Sequence, residues 1–155
     1  MAKVFIYPAT SLILSDLVAR FGHKPLGAAL GIRERIQTAG VDSPPLQITP
    51  EDPKRGLKYA AVEVPSGVRG RMAIYGPLIE EADAAIIVTE ADLAFGCMGC
   101  ARTDELILFS LRQSGIPILE LEYPRDEEEG IRFVAAVKKF LDGLPKEESN
   151  KEGEA

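Results

Sequence analysis

The sequence predicts an α/β fold, a three-layer sandwich built on a mostly parallel sheet of four or five strands. Three observations predict it. Short apolar runs such as Val4-Phe5-Ile6-Tyr7 and Ala84-Ala85-Ile86-Ile87-Val88 carry no polar alternation and read as strands buried on both faces. Segments between them place apolar residues at helical spacing, opened by capping residues or proline and closed by glycine. Strands alternating with helices require a parallel sheet covered on both sides by crossover connections.

The elements follow in order. The first strand, Val4-Phe5-Ile6-Tyr7, is closed by Pro8. Thr10 or Ser11 caps a helix running to Phe21, with Leu12, Ile13, Leu17 and Phe21 at helical spacing and Gly22 as its stop. Pro25 suits the first turn of a second helix, carrying Leu26, Ala29, Leu30, Ile32, Arg33 and Ile36 toward a stop at Gly40. Pro44, Pro45, Pro50 and Pro53 exclude a regular helix from 41–58, so this stretch reads as a lid or contact arm, a disordered connection or an ordered surface loop, with Leu46-Gln47-Ile48 able to form a short edge strand. Tyr59-Ala60-Ala61-Val62-Glu63-Val64 reads as the second strand, and a helix over 70–82 follows, broken at Gly76-Pro77. The third strand is 84–88, a helix spans 103–113, and the fourth strand is 116–121. Asp126 or one of its neighbours starts the last helix, with Ile131, Val134, Ala135, Lys138 and Leu141 at the right spacing and Phe133, Val137 and Phe140 broadening the apolar face. Residues 1–144 therefore form one α/β domain, flavodoxin-like or Rossmann-like, and the polar residues 145–155 form a disordered tail.

Composition narrows the functions. A chain that is 46% hydrophobic and 27% charged is ordinary for a globular protein. No apolar run approaches a membrane span, and the start, interrupted by Pro8, is no signal peptide, so a cytoplasmic protein is expected. The net charge of -6 argues against non-specific nucleic-acid binding. It is unevenly spread, since residues 1–75 hold ten Lys/Arg against six Asp/Glu while the rest hold eight against eighteen. The basic half leaves room for a small anionic ligand or an acidic partner.

In parallel α/β folds, ligands sit beyond the carboxyl ends of the strands. Four loops meet there, 8–11, 65–71, 89–102 and 122–126. The third holds both cysteines of the chain, in Cys97-Met98-Gly99-Cys100. A thiol between a strand and a helix start meets unpaired N–H groups and the positive end of the helix dipole, which favour thiolate. With Thr103 as the helix cap, Cys100 is the candidate nucleophile and Cys97 the resolving partner, or the roles are exchanged. Arg69, Arg71 and Arg102 offer planar donor forks for phosphate, sulfonate or carboxylate beside the sulfurs, and Thr103 joins them at the helix start. The bland alternative pairs these arginines with Glu90, Asp92, Asp104 or Glu122.

The same sulfurs are candidate metal ligands. A closed zinc site or a common iron-sulfur cluster needs four ligands, and one chain supplies Cys97, Cys100 and the single histidine, His23. Two motifs meeting across the axis of a homodimer would suffice for zinc or an iron-sulfur cluster. His23 reads as a third ligand or, more plainly, as a surface or capping residue. Pro8-Ala9-Thr10-Ser11 matches a flavin phosphate loop only in its place in the topology, and the dinucleotide, nucleotide triphosphate and serine hydrolase fingerprints are absent.

Gly96-Cys97-Met98-Gly99-Cys100-Ala101-Arg102-Thr103, with Lys3-Val4-Phe5-Ile6-Tyr7-Pro8 and Phe21-Gly22-His23, resembles the methanogenesis marker proteins of the fifth numbered type, over residues 1 to about 144. The resemblance implies a methanogenic archaeon, an anaerobic cytosol and a protein partner in the methyl-coenzyme M reductase system. It supplies no catalytic residues. Small anionic thiols and their disulfide, which belong to that setting, match a dithiol beside arginines. Three readings stay open: an accessory protein using Cys97 and Cys100 for thiol exchange or metal binding, an interaction module in which both cysteines are structural, and a small-molecule enzyme using the strand-edge pocket without cysteine chemistry.

Overall fold

The computed structural model describes residues 1–28, 48–89 and 98–145. It is a three-layer α/β sandwich. The described elements are β1 (Lys3–Tyr7), α1 (Leu12–Arg20), β2 (Lys24–Leu26), α2 (Asp52–Arg55), a 3-10 turn (Gly56–Lys58), α3 (Ser66–Glu80), β3 (Ala84–Thr89), α4 (Met98–Gln113), β4 (Ile118–Glu122) and α5 (Glu127–Asp142). The sheet order is β2-β1-β3-β4 and every pairing is parallel, with Phe5 beside Ala85 and Ile86 beside Leu119. This order follows the flavodoxin-like rather than the Rossmann-like pattern.

The apolar runs are continuous because β1 and β3 bury both faces. On one side Val4, Ile6, Ala84, Ile86 and Val88 pack under α1 and α5, through Leu14, Val18, Val137 and Leu141. On the other, Phe5, Ala85 and Ile87 pack under α3 and α4, through Met72, Tyr75, Ile79, Ile107 and Leu111. Ser11 caps α1 by accepting from the Leu14 N–H, and Gly22 ends the unit with φ +83°. Asp126 caps α5 by accepting from the Glu129 N–H, as its position in the sequence leads one to expect.

Two expected elements are corrected. The second strand is Lys24–Leu26 rather than residues 59–64, and Pro25, expected to open a helix, lies within it beside Val4. β2 is an edge strand bonded on one side only, so the missing proline N–H does not break the ladder. Of the helix expected beyond Pro25, Ala29 to Gly40 falls outside the described residues, as do Leu46 and Gln47 of the expected edge strand; Ile48 is in no strand.

Residues 48–65 instead clamp the start of α3. Asp52, fully buried, accepts from the Thr49 N–H at 2.7 Å and the Thr49 hydroxyl at 3.1 Å. Gly70 lies against Ile48 and Pro53, the Tyr59 ring lies over Gly76, and Gly56 lies against the Arg69 carbonyl. These tertiary contacts override the β-propensity of Tyr59, Val62 and Val64. They also carry α3 through Pro77 without a break, because Val68, Met72, Tyr75 and Ile79 form one buried stripe. A Cβ at Gly56 would overlap the Arg69 backbone, which cannot yield as a side-chain tip can. Gly56→Ala is therefore expected to cost about 3 kcal/mol, visible as a lower urea midpoint, with limited proteolysis between 48 and 65 appearing first.

On α5 the inward residues are Val137 and Leu141, with Phe133 and Phe140 packed against the same core. Ile131 and Val134 are exposed, at 65% and 42%, so of the residues expected on its apolar face only part turns inward. Leu12 and Ile13 of α1 are likewise exposed, at 76% and 65%. Among the described residues, no helix is long and apolar enough to cross a membrane.

Candidate functional site at the carboxyl edge

Strand order reverses between β1 and β3, whose carboxyl ends are at Tyr7 and Thr89, the place where parallel α/β folds bind ligands. The starts of α1, α3, α4 and α5 surround the same edge, since each follows a strand or returns to one.

Three charged or polar side chains from three elements converge there. Tyr7, the last residue of β1, is hydrogen-bonded to Asp104 in the second turn of α4, and the Arg71 guanidinium of α3 acts on the same carboxylate. Burial, reinforced by the Asp104 charge and hydrogen bond, pushes the Tyr7 phenol up to about 12, so it keeps its proton and donates it. Burial also raises Asp104, outweighing the Tyr7 hydrogen bond and the Arg71 charge that favour its ionised form. Folded Asp104 thus holds its proton more tightly than it does in the unfolded chain. Its contribution to stability is present below the ordinary aspartate range and is lost as pH rises through the raised value. Asp104→Asn is expected to raise Tm over wild type by about 1–2 °C near pH 8, modest because the site is half open to solvent, with the gap closing near pH 4 in thermal circular dichroism.

The candidate site residues are distributed unequally. Cys97 lies outside the described residues. Helix α4 starts at Met98, five residues earlier than expected, so Cys100 is within its first turn rather than ahead of it. Cys100 precedes Asp104 by one helical turn, and its side chain lies outside what the structure describes; Thr103, Ile107 and Leu111 further along the helix are buried. Thr103 is no cap; it sits inside the helix, 2% exposed. Arg102 is exposed. Arg71 is half-buried and donates from Nη1 to the Gly67 carbonyl at 3.1 Å. Arg69 donates from Nε to the Val64 carbonyl at 3.0 Å and from Nη1 to the Pro53 carbonyl at 2.8 Å, where it fastens the clamp.

His23 sits just before β2, at the amino edge of the sheet and so at the opposite end from α4's first turn. It is 3% exposed, accepts at Nδ1 from the Ala2 N–H at 3.3 Å, and donates from Nε2 to the Leu141 carbonyl at 2.9 Å. The surface reading and the third-ligand reading both give way to a core hydrogen-bond role, because neither nitrogen has a lone pair or proton left for a metal. Among the described residues no group of three or more His, Cys, Asp or Glu side chains could hold a metal ion. Tyr7 and Asp104 are the functional candidates that sequence reasoning missed. Tyr7's place just before Pro8, and Asp104's place one turn after Cys100, were the available signals.

A cleft of about 420 Å³ lies at the opposite edge between the ends of α3 and α4, lined by Tyr59, Ile79, Glu80, Ser110 and Gln113. Its rim is already satisfied, with Glu80 bonded to Lys58 and to the Tyr59 hydroxyl.

Comparison with known proteins returns one family model, described as "Uncharacterized protein conserved in archaea (DUF2112)", matching residues 2–144. A protein of Methanocaldococcus jannaschii, "Uncharacterized protein MJ0404", is 57% identical over 150 residues, covering 97% of this chain and 100% of that one. No solved structure matches.

Proposed function

The chain belongs to the archaeal DUF2112 family, and from that membership together with the carboxyl-edge geometry we propose a methanogenesis-associated accessory protein that exchanges thiol and disulfide with a small anionic thiol. Its setting is the methyl-coenzyme M reductase system, and its working groups are Cys97 and Cys100. The resemblance to methanogenesis marker proteins and the relative from Methanocaldococcus jannaschii support the setting.

One observation carries the chemistry. Helix α4 starts at Met98, so the backbone of Cys100 belongs to a helical first turn, one turn before Asp104. The first-turn amides and helix dipole favour a thiolate at that position. Cys100 thiolate attacks one sulfur of a disulfide RS–SR, forming a mixed disulfide and releasing RS⁻. Cys97 thiolate then attacks the Cys100 sulfur, releases the second RS⁻ and leaves a Cys97–Cys100 disulfide. Two electrons pass from the dithiol to RS–SR, and the two protons lost by the cysteines end on the released thiols.

Incubating the reduced protein anaerobically with the disulfide of 2-mercaptoethanesulfonate tests this by mass spectrometry. The expected products are a transient adduct on Cys100, an intramolecular disulfide and two equivalents of free thiol. Unmodified cysteines after prolonged incubation would refute the exchange reading, and iron or zinc bound at about half an atom per chain would replace it with a site shared across a dimer.

A further inference from the structure

The cleft of about 420 Å³ lies where α3 ends at Glu80 and α4 ends at Gln113, and both of these residues line it. The negative poles of two helix dipoles therefore adjoin it. Among the described lining residues Glu80 is the only charged one, while Ser110 and Gln113 bring a hydroxyl and an amide, and Ile79, Ala82 and Ile116 make the rest apolar. The Tyr59 ring is held over Gly76, where a Cβ would overlap it. Lys58 shows what such a site accepts. It is not among the lining residues, yet its ammonium reaches Glu80, donating to Oε1 at 2.6 Å and to Oε2 at 2.8 Å, and stands 5.2 Å from the centroid of the Tyr59 ring. A carboxylate beside an aromatic ring is a pairing that recognises organic ammonium groups. We propose that this cleft binds a small alkylammonium ion, whose head pairs with Glu80 in place of Lys58 and whose alkyl chain lies against Ile79, Ala82 and Ile116.

Exchange of one ammonium for another is favoured by where each sits. The Lys58 and Glu80 side chains are 62% and 50% exposed, so their ion pair contributes little and little is lost when it opens. Released Lys58 returns to water on a flexible stem. The incoming ion keeps the carboxylate paired and adds the burial of its own methylenes against the apolar wall, which Lys58, reaching in from outside, does not supply. The Tyr59 hydroxyl donates to Glu80 Oε2 at 3.2 Å and steadies the carboxylate without having to move. The Lys58 hydrogen bond holds the Glu80 carboxyl below its usual range, so it is ionised at neutral pH. An anion would meet Glu80 and two helix carboxyl ends, with no basic residue among the described lining residues to offset them. The cleft is at the opposite edge of the sheet from the start of α4, so this site is independent of the thiol chemistry.

The probe is n-butylammonium at neutral pH and constant ionic strength, its binding to the full chain followed by amide NMR shifts at 79–82 and 110–116. A dissociation constant on the order of 1 mM is expected for a ligand this small. Glu80→Gln is expected to weaken binding at least about tenfold, since the remaining amide carries no charge. Lys58→Ala is expected to tighten it at least about threefold by removing the resident competitor. Ser110→Leu, which fills the cleft and leaves the carboxylate in place, should abolish it. Butyrate should not bind. Nα-acetyl-lysine methylamide, the same ammonium on a peptide backbone, should bind more weakly than the free amine, and tighter binding would reassign the cleft to a lysine of a protein partner. Absence of saturable shifts, unchanged affinity in Glu80→Gln or Ser110→Leu, or weaker binding by Lys58→Ala would overturn the proposal. Should a variant fail to fold, the wild type decides: the Lys58 ε-methylene resonance is expected to move to that of a free lysine as the ligand saturates, and a resonance that stays in place contradicts the exchange.

Discussion

Cys100→Ser is expected to abolish thiol–disulfide exchange while leaving the fold unchanged. The substitution keeps size and helical position and removes only the sulfur, whose thiolate is the attacking species. With 2-mercaptoethanesulfonate disulfide as oxidant, the adduct on the protein and the released thiol should both disappear, a loss of at least about a hundredfold in rate against a serine hydroxyl that is almost entirely protonated at neutral pH. Cys97→Ser is expected to behave differently. It should still form the mixed disulfide and then stall, because the resolving sulfur is gone; one equivalent of thiol, rather than two, would be released. If the two variants exchange these phenotypes, Cys97 is the attacking residue and the chemistry keeps its form. If both variants match wild type, the cysteines do not carry the reaction. Arg71→Gln provides the control for substrate capture, since it should raise the disulfide concentration needed without altering the stoichiometry.

The second large effect concerns stability. His23→Ala is expected to destabilise the protein by about 3–5 kcal/mol, because it strips the Ala2 N–H and the Leu141 carbonyl of their partner in a site that is 3% exposed and leaves a hole between β2 and α5. The imidazole joins the beginning of the chain to the end of α5, 118 positions away in sequence from Leu141. Chemical denaturation should show the loss as a lower midpoint with an unchanged slope. His23→Gln, which can both accept and donate, should recover part of it. A variant His23→Ala with wild-type stability would remove the role assigned to this side chain.

Much of the fold was legible because the strongest signals were local. Val4 to Tyr7 and Ala84 to Val88 are buried on both faces, so their apolar runs are uninterrupted, and Ser11, Gly22 and Asp126 punctuate helices by side-chain and backbone geometry that needs no distant partner. What was not legible depended on distance. Tyr59 to Val64 carries strand-forming residues, yet the Tyr59 ring is held over Gly76, seventeen positions on, and Arg69 fixes Val64 from α3. Lys24–Leu26 is too short to announce itself, and its pairing with β1 is set by the α1 hairpin that returns it. On α5, Ile131 and Val134 have the right spacing for a buried face and remain exposed because the sheet beneath α5 meets Phe133, Val137 and Leu141 instead.

The site divides the same way. The placement of the Cys-x-x-Cys segment after β3 was readable from strand-helix alternation, although the helix opens at Met98 rather than Thr103. The Tyr7–Asp104–Arg71 cluster was not, since its members are far apart in sequence and meet only because parallel pairing brings the end of β1 beside the starts of α3 and α4. Arg69 and Arg71 differ by two residues and look equivalent in sequence, but Arg69 donates to the Val64 and Pro53 carbonyls of the clamp while Arg71 donates to the Gly67 carbonyl of its own helix.

The central claim is that reactive sulfur stands at the carboxyl edge of the sheet in the folded protein. Anaerobic alkylation of the native chain with iodoacetamide, resolved by residue and followed against pH, tests it most directly. Both cysteines are expected to react without unfolding, and Cys100 at a pH below the ordinary thiol range, near 8.5. Cysteines that stay unreactive until denaturant is added would contradict it.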